Sequence, residues 1–250
     1  MPVMDEFREE REAIKNGTKE QKIQYFKDYY RTPLIIAIVA IIFIGSLIFT
    51  IATNKDSAFF AVALNGASQP NNQWFLEDYA KYAGIPTKEY ELTMDTSAAF
   101  NGNYSDYDTM YTVQKISTYT GAGQVDTILG TDEAFAYYAN SVLFWDLREF
   151  LTEEQLAKYE PYFYYVDEAK FNDIQWVTDS GESLHPTFAD PRDPSAMEQP
   201  VPVGLYIQDS QKLNDAYAFA DAEDGIMLGV LLNTSHPENV QKFIDYLMAE

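Results

Sequence analysis

Cysteine is absent from this chain, and histidine occurs only twice, as His185 and His236. Without thiols there is no disulfide scaffold, no thiolate metal centre and no cysteine for lipid attachment. Two separated histidines, with no cysteine beside them, give no zinc-ligand spacing, so no metal is expected. No Walker sequence is present. Gly121-Ala122-Gly123 lacks a suitable following helix and reads as a helix stop. No serine sits in a strand–turn–helix elbow, and the adjacent Glu153 and Glu154 diverge by about 100° on a helix. The expectation is a protein with no catalytic residues and no cofactor. Basic residues are also scarce after the first fifth of the chain. Residues 54–250 hold 32 acids against 10 bases, whereas residues 1–53 hold seven of each, so the later part carries the whole net charge of −22. Such a surface repels polyanions, which excludes nucleic acid as a partner.

Charge is missing altogether from Thr32 to Asn54, and Leu34 to Thr53 is a run of twenty mostly apolar residues. At about 1.5 Å per residue a helix of that length spans bilayer hydrocarbon, and lipid requires every backbone group to be bonded within it. A buried core helix usually runs shorter and keeps a polar face. Lys15, Lys19, Lys22, Lys27 and Arg31 precede the run and only Lys55 follows closely, which orients the N-terminus to the cytoplasm. A cleaved leader has a shorter apolar region behind a short basic start; although Thr50-Ile51-Ala52 resembles a weak cleavage site, an uncleaved span is expected. The expected organisation is a cytoplasmic arm (1–32), a transmembrane helix (33–53) and an extracellular domain (54–250). The cell membrane would be its location and the lipid bilayer its first partner.

The arm reads as two helices broken at Asn16-Gly17, the second opened by a Thr18/Gln21 capping box. Beyond the span, Ala58 to Leu64 is a continuous apolar run suited to a strand buried on both faces. Residues 72–85 have helical spacing and stop at Gly84. Residues 90–95 alternate as a strand, 107–120 read as a helix, 125–129 as a strand and 132–140 as a helix. Three such alternations argue for a three-layer α/β domain with a mostly parallel sheet. Thr152 and Gln155 form another capping box, residues 162–178 suggest a hairpin, and the prolines of 179–200 mark a loop. Residues 201–207 and 226–232 read as strands. Ser235-His236-Pro237-Glu238 reads as a capping box opening the last helix.

Three stretches carry a resemblance. VDTILGTDEAFAYYANSVLFWDLREFLTEEQL, VPVGLYIQDSQKL and GIMLGVLLNTSHPENVQKFIDYL are similar in order and pattern to the bacterial extracellular solute-binding proteins of ABC importers, with the type-2 periplasmic-binding fold. The resemblance implies a lobe of that fold, and a small solute such as a sugar or peptide as ligand. Only about forty residues, 161–200, are available for the second lobe, so one lobe, or a much reduced second, is expected. The rival readings are an interaction module docking an envelope protein through its aromatic, acidic surface, and an envelope hydrolase using His185 or His236.

In open α/β sheets ligands gather at the carboxyl ends of strands, against free N–H groups of helix N-termini. That rule selects Asn65, Gly66, Ser68 and Gln69 after the first strand, and Gly130, Thr131, Asp132 and Glu133 after the third. Ordinary turn and capping roles compete with ligand contact at Gly66, Thr131 and Asp132. Trp74 and Trp145 suit sugar stacking or, more simply, core packing. Asp190, Asp193, Asp221, Glu223 and Asp224, and the group Asn101, Asn103, Asp106 and Asp108, lack calcium-loop spacing and read as solvated acids and amides.

Overall fold

A computed structural model describes Lys15 and residues 17–249. The first of the two expected arm helices lies outside the described residues. The chain divides into two compact units, residues 1–54 and 55–250.

In the first unit, helix α1 (Lys19–Tyr29) begins at Thr18, whose hydroxyl accepts from Gln21 N–H at 3.4 Å while the Gln21 side chain accepts from Thr18 N–H at 2.9 Å. The expected capping box is formed. Helix α2 (Arg31–Thr53) follows, 23 residues with no charge after Arg31. It is long and apolar enough to cross a membrane, and its large apolar side chains from Leu34 to Phe49 are exposed rather than packed in a protein core.

The second unit begins with strands β1 (Asp56–Leu64) and β2 (Gly66–Ser68), helix α3 (Gln73–Ala83), strand β3 (Tyr90–Ala98) and helix α4 (Tyr107–Gly121). Strand β4 (Thr127–Gly130), helix α5 (Asp132–Ala139) and two short helices, α6 (Leu147–Phe150) and α7 (Glu153–Tyr159), come next. Strand β5 (Phe163–Asp167) precedes a long irregular excursion to β6 (Pro200–Tyr206), then α8 (Gln211–Ala216), β7 (Tyr217–Phe219), β8 (Met227–Val230) and the closing helix α9 (Pro237–Met248). Six strands form one sheet in the order β3-β1-β4-β8-β6-β5, and β2 pairs with β7 in a separate two-stranded ribbon.

The α/β expectation holds, but the sheet is mixed. β1 pairs parallel with β3 and β4, while β8, β6 and β5 are joined by antiparallel pairings. Apolar runs buried on both faces look the same in either direction, so the sequence could not reveal the reversal. The hairpin expected within 162–178 does not form either. β5 instead pairs with β6, Phe163 opposite Leu205, across the whole excursion.

Side chains alternate across β1: Phe59 and Ala61 enter one apolar cluster, Val62 and Leu64 the other, as a strand's period of two requires. Helices cover both faces. On the first, α3 and α9 pack over β1 through rings: Phe243 lies 4.5 Å from Phe59 and 4.9 Å from Tyr79, centroid to centroid. Such pairs add about 0.5–1.5 kcal/mol each beyond the area they bury. On the second, α5 lays Phe135 against Phe144, 5.4 Å apart. That pair needs Gly204 and Gly229, which sit opposite each other on β6 and β8. A Cβ on Gly204 would meet Phe135 at 2.8 Å, and one on Gly229 would meet Phe144 at 2.5 Å.

Helix ends follow the sequence in part. α3 stops at Gly84 with φ 73°, a left-handed cap that glycine adopts without strain, and Thr152 and Gln155 form their box. The box expected at Ser235 is not made. His236 is the residue before α9, with no side-chain cap, and the Ser235 hydroxyl donates to Gly123 O at 3.0 Å.

Candidate functional site

The carboxyl ends of β1, β3 and β4 lie side by side, because β1 is central and its two neighbours run parallel to it. The loops leaving them enclose a cleft of about 550 Å³, a size suited to a small molecule. Asn65, Gly66, Thr131 and Glu133, all selected from the sequence, line it together with Thr96, Ser97, Asn101 and Asp221.

Each selected residue has a definite place. Asn65 adopts φ 55°, and its side chain clamps Phe100: Phe100 N–H donates to Oδ1 and Nδ2 donates to Phe100 O, both at 2.7 Å. Asparagine tolerates that left-handed backbone better than most residues. Gly66 opens β2, where a Cβ would sit 2.9 Å from that of Ala63. The Thr131 hydroxyl donates to Ala220 O at 2.8 Å rather than capping α5, so that helix begins without a side-chain cap from it. Asp132 is the first residue of α5. Glu133 holds His185 Nδ1 at 2.6 Å from Oε1, tying the excursion after β5 to the mouth of the cleft. Ser68 and Gln69 do not line the cleft. Ser68 lies on β2 with its hydroxyl 3.5 Å from that of Thr96, and Gln69 N–H donates to Ala216 O at 2.9 Å.

Thr96 and Ser97 escape the sequence reading, and Asn101 enters it only as a solvated amide, because the alternation of β3 ends at Asp95 whereas the strand runs to Ala98. The rule that selected the other two loops selects this one once the strand's end is known. Beneath it, Asp95 accepts from the Ser97 hydroxyl at 2.7 Å and from Ser97 N–H at 2.9 Å, and pairs with Lys115 at 2.5 Å. Burial opposes ionisation of Asp95, but the Lys115 ammonium and the two Ser97 bonds outweigh it and hold the carboxyl below its ordinary range.

Beside the cleft stands an aromatic cluster. Phe100 stacks on Tyr137 at 5.2 Å, and Tyr137 meets Trp176 of the excursion at 4.7 Å. Burial pushes the Tyr137 and Tyr138 phenols above the usual tyrosine range, so both stay protonated and neutral. Trp145 takes the packing role, partly buried against the first core cluster and 6.2 Å from Phe150, while Trp74 stays partly exposed. The dispersed acids and amides serve turns and caps: Asp190 accepts from Arg192 N–H, Asp193 from Ser195 N–H, and Asp106 from Thr109 N–H. Among the described residues no three His, Asp or Glu side chains converge to hold a metal ion.

The two histidines stand at opposite ends of β4. His185 meets Glu133 just beyond its carboxyl end, and His236 Nδ1 lies 3.1 Å from Oδ1 of Asp126, just before its start. Asp126 is fully buried and also accepts from Phe60 N–H at 2.8 Å and the Thr234 hydroxyl at 2.6 Å. About 13 Å of strand separates the two ends at ~3.3 Å per residue. One reaction centre cannot use both histidines. No known family model, curated protein or solved structure matches the chain.

Proposed function

We propose that the chain is a single-pass membrane protein whose α/β unit recognises a small polar solute without chemical change. Convergence of three loops on one cleft, at the carboxyl ends of β3, β1 and β4, carries this reading. The cleft offers the backbone at the start of α5 to a negative or carbonyl group, and the carboxylates of Glu133 and Asp221 to an amine. A zwitterionic solute, an amino acid or short peptide, fits that layout best, with a sugar as the neutral rival. The likeness to a lobe of the type-2 solute-binding proteins points the same way. The uncharged α2 and the basic residues before it support the anchor and its orientation, with the unit outside the cell.

Thermal unfolding of the full chain in nanodiscs, screened against amino acids, short peptides and sugars, tests the reading. At least one class raises the midpoint, as ligand binding to the folded state must. Thr96→Trp, which places a ring in the cleft, removes that shift. A panel with no effect on the parent protein contradicts solute recognition.

A second reading has its own observation. Tyr107, Met110 and Tyr111 share one face at the start of α4, and Tyr107 is 77 % exposed. Such an apolar patch suits an envelope protein. Crosslinking in cells then yields one stoichiometric partner, lost in Tyr107→Ser/Tyr111→Ser.

A further inference from the structure

The excursion between β5 and β6 arches over a second cavity, of about 560 Å³, separate from the cleft in its lining. Val166 of β5 forms part of its floor, and Ile174, Leu184, Phe188 and Met197 of the excursion form its walls. These wall residues border the cavity and are only half-buried, unlike the side chains of a filled core. The arch is nonetheless fixed along its length. Tyr165 N–H donates to Pro191 O at 2.9 Å, Tyr104 N–H to the Ser183 hydroxyl at 2.7 Å, and Arg192 lies 3.9 Å over the Tyr206 ring while donating to Asp224 O at 2.6 Å. An apolar space held open in this way forfeits dispersion contacts that a guest of the right size restores.

One largely buried polar residue borders that space. Asn140, at the end of α5, lines the cavity and is only 6 % exposed. Its Nδ2 donates to Ala136 O at 2.9 Å, and its carbonyl oxygen accepts no hydrogen bond among the described residues. That oxygen keeps access to solvent, and a ligand N–H or O–H takes the place of water on it. The rim carries Asp167 and Asp173 against Lys170, so there is no net positive charge to hold an anion. Asp167 is already engaged, accepting from the N–H groups of Ala169, Glu198 and Gln199.

We propose that this cavity is a second binding site, for an uncharged, ring-sized apolar molecule carrying one hydrogen-bond donor. The ring lies between Val166 and the wall side chains of the excursion, and its donor meets the Asn140 carbonyl. Nothing in this site depends on the reading of the cleft. Because His185 borders the cavity while its partner Glu133 borders the cleft, the two sites share one wall.

The test titrates 5-fluoroindole against the full chain in nanodiscs by ¹⁹F relaxation, with empty nanodiscs subtracted. Saturable broadening is expected, and 1-methyl-5-fluoroindole, which lacks the donor, binds about fivefold more weakly. Asn140→Leu abolishes that fivefold difference. Ala189→Trp and Thr187→Trp, which fill the cavity from wall and rim, each weaken binding at least tenfold, while Thr96→Trp in the cleft leaves it unchanged. Absence of saturable binding overturns the proposal. So does equal affinity for the two indoles, binding unaffected by both filling variants, or loss of binding in Thr96→Trp.

Discussion

The two halves of the sheet are built on different terms. Around β3, β1 and β4 each strand is followed by a helix, and the rings of α3 and α9 pack against one side. Around β8, β6 and β5 the pairings are antiparallel, and β5 is joined to β6 by an excursion with only short 3₁₀ turns and one isolated bridge, Val177 to Ser183. The first half gains rigidity from local units. The second spends chain length on an arch and keeps a cavity beneath it. The two proposed sites adjoin where Glu133 meets His185.

Substitutions should break the comparison unequally. The largest loss is expected at Phe243, fully buried among Phe59, Phe75 and Tyr79. Phe243→Ala should cost about 3–5 kcal/mol in denaturant unfolding of the full chain. Gly229→Ala, whose new methyl meets Phe144, should cost about 1–3 kcal/mol. Loss of a cap is smaller, and Thr152→Ala should remove about 1 kcal/mol. Phe188→Ala in the arch should cost less than about 1 kcal/mol, because its ring borders open space rather than a filled core. A cost at Phe188 equal to that at Phe243 would erase the contrast between the halves.

Acid sharpens the same contrast. A carboxyl held below its ordinary range stabilises the fold at pH values above that range, and the contribution is lost as pH falls through the depressed value. For Asp95 the loss therefore comes below about pH 4. Melting of the parent protein should fall there, and Asp95→Asn should start lower and lose less over the same interval.

What the sequence disclosed was local. The uncharged run of α2, the buried strand β1, the Gly84 stop and the boxes at Thr18 and Thr152 all rest on residues within one element and its flanks. The features that escaped it are set by distant partners. Ser235 has the spacing of a cap yet spends its hydroxyl on Gly123 O, 112 positions away. β5 finds β6 rather than a neighbouring turn, and the direction of β8 leaves no mark on an apolar run. At the cleft, Asn65, Gly66, Thr131 and Glu133 followed from strand ends, whereas Asp221 and His185 arrive from remote loops with no local signal.

The central claim is an outward recognition unit held by α2, and the cysteine-free chain permits a direct measurement. Single cysteines at Ser180, in the exposed part of the excursion, and at Lys15, before α1, are offered a membrane-impermeant maleimide on intact bacterial cells. The account predicts labelling at position 180 at once and at position 15 only after the membrane is opened. Labelling of position 15 in intact cells, with position 180 protected, would contradict it.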